Sequence, residues 1–130
     1  MALDESYIVE LFAAFGPVAV RRMFGGAGVY AAGVMFALIA DGVIYLKADP
    51  QTTPAFEHEG LKPFTYAAKG RKLVSMSYWR IPDRLYDDAD ELASWAREAV
   101  MAAQRATEGK AAGHRRKIIP PVGKRPRRRK

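Results

Sequence analysis

Residues 21–30 read RRMFGGAGVY, an arginine pair followed by three glycines within four positions. Two readings compete. The glycines either open a helix and cradle a phosphate, giving a nucleotide-binding enzyme, or join two strands of a sheet. Gly26-Ala27-Gly28-Val29-Tyr30-Ala31 matches the dinucleotide pattern G-x-G-x-x-[GA], and Asp49 follows about where a ribose-binding acid would stand. That motif works only where its glycines begin a helix whose amides hold the pyrophosphate. Here they lead into Val29-Tyr30 and then VMFALIADGVIYLKA (34–48), with no helical spacing of apolar residues. Asp41-Gly42 divides two β-rich runs, a strong hairpin signal. The sheet reading wins. Gly25, Gly26 and Gly28 are expected to supply positive φ or close backbone approach. Their amides beside Arg21 and Arg22 could also form an anion nest, the functional alternative.

The elements on either side fit a sheet. DESYIVELFAAF (4–15) spaces Ile8, Leu11, Phe12 and Phe15 as a helix, stopped by Gly16-Pro17. Ala32-Gly33 separates Val29-Tyr30 from VMFALIA. TTPAFEHEG (52–60) reads as a short helix with Thr53 as cap and Gly60 as terminator. Two more strands follow at 61–67 and 72–81; alternation in the second does not decide whether the Tyr78 or the Trp79 face is buried. A last helix is predicted from about Asp88 to Thr107, stopped by Gly109, with Leu92, Trp95, Ala96, Ala99 and Ala103 as its apolar stripe. The order is α-β3-α-β2-α. It predicts an α+β domain over residues 1–107, a two-layer structure with an antiparallel sheet of about five strands and helices on one face. Residues 108–130 read as a disordered basic tail.

Composition narrows the chemistry. The 130 residues include no cysteine, which removes disulfides and thiolate chemistry, and only two histidines, His58 and His114, too far apart to share a metal. Neither a metal nor a cofactor is expected. No apolar run is long enough to cross a bilayer, and acids stand where a secretory signal would carry positive charge, so a cytoplasmic protein without a membrane partner is expected. The charge is unevenly placed. Residues 105–130 hold eleven Lys/Arg against Glu108 alone, while 1–104 hold ten against thirteen Asp/Glu. A mildly acidic globule therefore carries a strongly basic end.

RRMFGGAGVY, VMFALIADGVIYLKAD, PFTY, SYWRIPD and ELASWAREA occur in an order that resembles the N-terminal domain of the TfoX/Sxy competence-regulator family, over about residues 5–104. The family's signature falls on Met23, Phe24, Gly25, Gly26, Gly28, Tyr30, Phe36, Ala37, Leu38, Ile39, Asp41, Leu46, Lys47, Phe64, Tyr66, Tyr78 and Trp95. The resemblance implies a secretion-chaperone-like α+β domain and a non-enzymatic role in promoting DNA-uptake genes with the cyclic-AMP receptor protein. It brings no catalytic residues. Full-length members carry a second domain resembling a helix-hairpin-helix fold; here a basic segment follows instead.

Other constellations are weaker. Asp83, Asp87, Asp88, Asp90 and Glu91 lack a calcium-loop pattern and suit the capping of the last helix. Tyr78 and Trp79 are candidates for a partner surface or a base-stacking platform, although large strand aromatics are more often core. The basic end offers Arg115, Arg116, Lys117, Lys124, Arg125, Arg127, Arg128, Arg129 and Lys130 to nucleic acid as a weak, non-specific arm. Gly123-Lys124-Arg125-Pro126-Arg127 is similar to the minor-groove AT-hook core, with a lysine inserted after the glycine. The sequence therefore predicts a non-enzymatic regulatory or protein-interaction domain with a nucleic-acid-binding tail and a transcription-related protein partner. The alternatives are a small-molecule or nucleotide-binding enzyme using Arg21, Arg22 and the glycine loop, and a chaperone-like homodimer that binds proteins.

Overall fold

Strand rather than helix forms around the glycines. In the computed structural model, which describes residues 4–23, 26–68 and 70–118, Ala19–Met23 (β1) and Gly26–Ala31 (β2) pair antiparallel, from Ala19 opposite Tyr30 to Met23 opposite Gly26. Val34–Ala40 (β3) and Val43–Lys47 (β4) continue the sheet, followed by Pro63–Ala68 (β5) and Arg71–Arg80 (β6). The sheet has six strands in the order β1-β2-β3-β4-β6-β5, all neighbours antiparallel. The α+β class holds. The extra strand is β1, whose Arg21-Arg22 pair conceals its alternation.

Two turns set the central register. Ala32 and Gly33 have φ of 52° and 78°, and Asp41 and Gly42 of 52° and 74°. Paired left-handed residues are what two-residue hairpins require, because their twist matches that of the strands. Gly26 and Gly28 do not share that conformation, so close approach is their reason. A Cβ on Gly26 would overlap the carbonyl oxygen of Ile39. On Gly28 it would lie 2.6 Å from Met35 Sδ and 2.8 Å from Met23 Cε.

The helices all pack on one side. Glu5–Leu11 (α1) is capped by Asp4, whose Oδ1 accepts from the Tyr7 amide at 2.8 Å. Thr53–His58 (α2) ends at Gly60, with φ of 74°; its N-cap is Thr52 rather than Thr53. A 3-10 turn, Asp83–Asp87, leads into Ala89–Ile118 (α3), where Asp88 Oδ1 accepts from the Glu91 amide at 3.0 Å. The acidic cluster thus supplies a cap, and no group of three or more His, Asp or Glu among the described residues could hold a metal. The core joins Ile8 and Phe12 of α1, Val29, Phe36, Ile44 and Leu46 of the sheet, Phe56 of α2, and Leu92, Ala96 and Ala99 of α3. Phe12 meets Phe36 edge-to-face at 5.4 Å.

The predicted stop at Gly109 is corrected: α3 runs on through Gly109 and Gly113 to Ile118. One glycine costs about 1 kcal/mol in a helix interior, and extending a helix already twenty residues long needs no new nucleus. Lysine, arginine and alanine around the glycines favour continuation, and the first proline after them is Pro120. Residues 108–118 thus continue α3.

Two arginines fasten the helices. Arg84 in the 3-10 turn bonds both Glu59 oxygens at 2.8 Å and Glu91 at 2.7 and 3.0 Å, joining the end of α2 to the start of α3. Arg105 of α3 grips Asp49 after β4 at 2.6 and 3.1 Å. These arginine hydrogen bonds hold Asp49, Glu59 and Glu91 below the usual carboxylate range. The unfolded chain consequently takes up protons at these positions first as pH falls.

Two outcomes follow for stability. Gly26→Ala should cost about 2–3 kcal/mol, because a backbone carbonyl cannot yield, whereas Gly28→Ala meets flexible side-chain ends and should cost about 1 kcal/mol or less. Urea midpoints of the two variants check the order. The carboxylate contribution should be intact above about pH 5 and decline as pH falls below about 4.5. Replacing Arg84 with Gln should flatten that acid limb in thermal unfolding; an unchanged limb would place the acid sensitivity elsewhere.

Candidate functional site

With the helices on one side, the other side of the sheet carries its own set of side chains. Strand parity puts Trp79 against Leu46 on the helix side and Tyr78 beside Lys47 on the other. The same parity places Arg21, Gly28, Tyr30, Met35, Leu38 and Tyr45 on Tyr78's side. Most of these positions are half-buried, and none of their larger side chains packs against the helix-side core. Met35 and Lys47 also border a cavity of about 220 Å³ shared with Ala103, Ala106 and Thr107 of α3.

This surface is held together by its own contacts. The missing side chain of Gly28 leaves a floor on which Met23, Met35 and Tyr30 converge. Tyr78 reaches across β4 and donates its hydroxyl to the carbonyl oxygen of Met35 at 3.5 Å. Burial, helped by the nearby Tyr30, pushes the Tyr78 phenol up to about 12. Arg21 lies over the Tyr30 ring at 5.7 Å, and Lys47 over the Tyr78 ring at 5.1 Å. Tyr45 meets Phe64 edge-to-face at 4.9 Å. The result is an aromatic and methionine-lined face with cations set on its rings.

The residues singled out from sequence fall in different places. Arg21 and Arg22 are adjacent in β1 and so project to opposite faces, both exposed. Gly26 and Gly28 sit within the β2 ladders, and the space above Gly28 is filled by side chains. Gly25 lies outside the described residues. A nucleotide cradle needs a concave site beside these glycines, and at Gly28 the space is taken by Met23, Met35 and Tyr30. Trp79 is 3% exposed and stacks near Phe56 at 5.9 Å, so it is a packing residue; Tyr78 alone of the pair belongs to the open face. Arg115, Arg116 and Lys117 lie near the end of α3, while Lys124, Arg125, Arg127, Arg128, Arg129 and Lys130 lie outside the described residues. His58 is exposed, as its acidic neighbours suggest.

Sequence reading missed Tyr30, Met35 and Tyr45 as surface residues. A signal was available. None of the six strands contains Asp or Glu, yet they contain six Lys/Arg. A groove between α2 and α3, floored by Phe56 and Trp95, has a volume of about 210 Å³, below the roughly 300–1,000 Å³ of small-molecule sites.

Residues 10–103 match the family model described as the TfoX N-terminal domain. The chain is also 26% identical over 102 residues to a protein of Aliivibrio fischeri named DNA transformation protein TfoX1, an alignment covering 75% of this chain and 48% of that protein. The chain thus spans about half the length of that curated relative. No helix among the described residues is long and apolar enough to cross a membrane.

Proposed function

The chain belongs to the TfoX N-terminal domain family, and from that premise we propose that it is a non-enzymatic, competence-related regulatory domain that works by binding. The globule contacts a transcription-related protein partner, and the basic end contacts nucleic acid. The observation that carries this reading is the separation of charge along one continuous helix. The first half of α3 holds Asp90, Glu91 and Glu98 and packs on the sheet; its last turns carry Arg115, Arg116 and Lys117 and lead into six further cations. Such a segment offers counterion release to any phosphate backbone without reading sequence. The family match and the name of the A. fischeri relative support a role connected with DNA transformation. The filled surface above Gly28 favours binding over catalysis.

Fluorescence anisotropy on labelled duplex DNA across a salt series tests the arm. The full chain is compared with one in which the nine cations Arg115, Arg116, Lys117, Lys124, Arg125, Arg127, Arg128, Arg129 and Lys130 are all replaced by Gln. If about six to eight cations meet phosphates, log K should fall against log salt with a slope of roughly −5 to −7. The substituted chain should lose that binding. Equal binding by both chains would move the nucleic-acid site into the globule.

A further inference from the structure

We propose that the open face of the sheet binds an acidic amphipathic peptide segment of a partner protein, with apolar side chains on Tyr30, Met35 and Tyr45 and carboxylates against the exposed Arg21. This rests on the reading of the globule as a protein-interaction domain and names the chemistry of its partner; it is independent of the basic arm.

Charge complementarity carries the choice of occupant. All fourteen Asp/Glu lie outside the strands, so the sheet face meets an approaching carboxylate with cations and no repelling group of its own. The cations are placed above the apolar floor rather than beside it, since Arg21 and Lys47 lie over the rings of Tyr30 and Tyr78. A carboxylate brought to Arg21 must also cover the Tyr30 ring. Tyrosine, methionine and arginine are the residues enriched at protein interfaces.

Two other occupants fit less well. Single-stranded nucleic acid needs open ring faces for its bases. Here cations occupy faces of Tyr30 and Tyr78, and Tyr45 is held edge-on to Phe64. A second copy of this chain, docked face to face about a two-fold axis, would set Arg21 and Lys47 against the same cations.

A random dodecapeptide display library, selected on the full chain and counter-selected on Arg21→Glu and Tyr45→Ala chains, tests the proposal. Both variants keep residues 109–130, so capture of acidic peptides by that segment cancels. Enriched peptides should combine aromatic or aliphatic residues with Asp/Glu. Made synthetically, they should bind the Arg21→Glu chain about three- to ten-fold more weakly and the Tyr45→Ala chain about ten-fold or more weakly. Arg21 is exposed, so its variant should keep the parent's circular dichroism and melting temperature, and Arg21→Lys should restore most of the affinity.

Four results would overturn the proposal. They are a selection with no enrichment over the variants, peptides that bind all chains alike, and a thymidine dodecamer that alone loses affinity in the Tyr45→Ala chain. The fourth is a parent dimer that Arg21→Glu dissociates. Failure of the arm in the DNA salt series would leave the peptide contrast unchanged, so the two readings fail separately.

Discussion

One extra residue in β3 decides which way this sheet faces. Val29 pairs with Ala37 and Tyr30 with Met35, leaving Phe36 as a bulge. A bulge lets two successive residues point to the same side of a sheet, and Phe36 and Ala37 are both fully buried. Phe36 then becomes the contact for Phe12 and Phe15, which seats α1. Met35 is sent to the opposite side, where its sulfur lies with Tyr30 above Gly28 while its carbonyl oxygen accepts from the Tyr78 hydroxyl. Without the bulge, strict alternation from Ile39 and Ala37 would put Met35 in the core and Phe36 in solvent.

From that single shift follow two surfaces of different chemistry. The helix side is an ordinary apolar core, closed at its margins by the Arg84 and Arg105 carboxylate pairs. The open side is aromatic and cationic. The carboxylates lie in helices and connections, where Asp4 and Asp88 cap helices and Asp49, Glu59, Asp83 and Glu91 pair with arginines. The glycines that first suggested a phosphate cradle have a different task. Gly26 lets β2 lie close to the Ile39 carbonyl, and Gly28 makes room for Met23, Met35 and Tyr30.

The sequence made the layer architecture legible because its punctuation was strong. Asp41-Gly42, Ala32-Gly33, Gly60 and the caps before α1 and α3 placed most elements, and the family resemblance agreed with them. Strand β1 escaped because adjacent arginines look like a charged loop, yet on an edge strand both can reach solvent. The end of α3 escaped because a glycine was weighed by propensity alone, without the long helix already preceding it. The faces of β6 could not be assigned from Val74, Met76, Tyr78 and Arg80 against Ser75, Ser77, Trp79 and Ile81. Only the pairing of Trp79 with Leu46 and the packing of Phe56 decide it. The bulge itself left no mark in VMFALIA, a uniformly apolar run, so the assignment of Met35 to the open face was unreadable in advance, and only the cationic, acid-free character of the strands was legible.

The sidedness of the sheet is the claim on which both the fold and the proposed interaction depend. Hydroxyl-radical footprinting of the intact chain, with each rate normalised to the intrinsic reactivity of its side chain, measures it directly. Tyr30, Met35 and Tyr45 should be modified much faster than Phe36 and Trp79. Phe36 or Trp79 reacting as readily as Tyr45 would contradict the account, because the bulge would then not have turned that side of the sheet toward the helices.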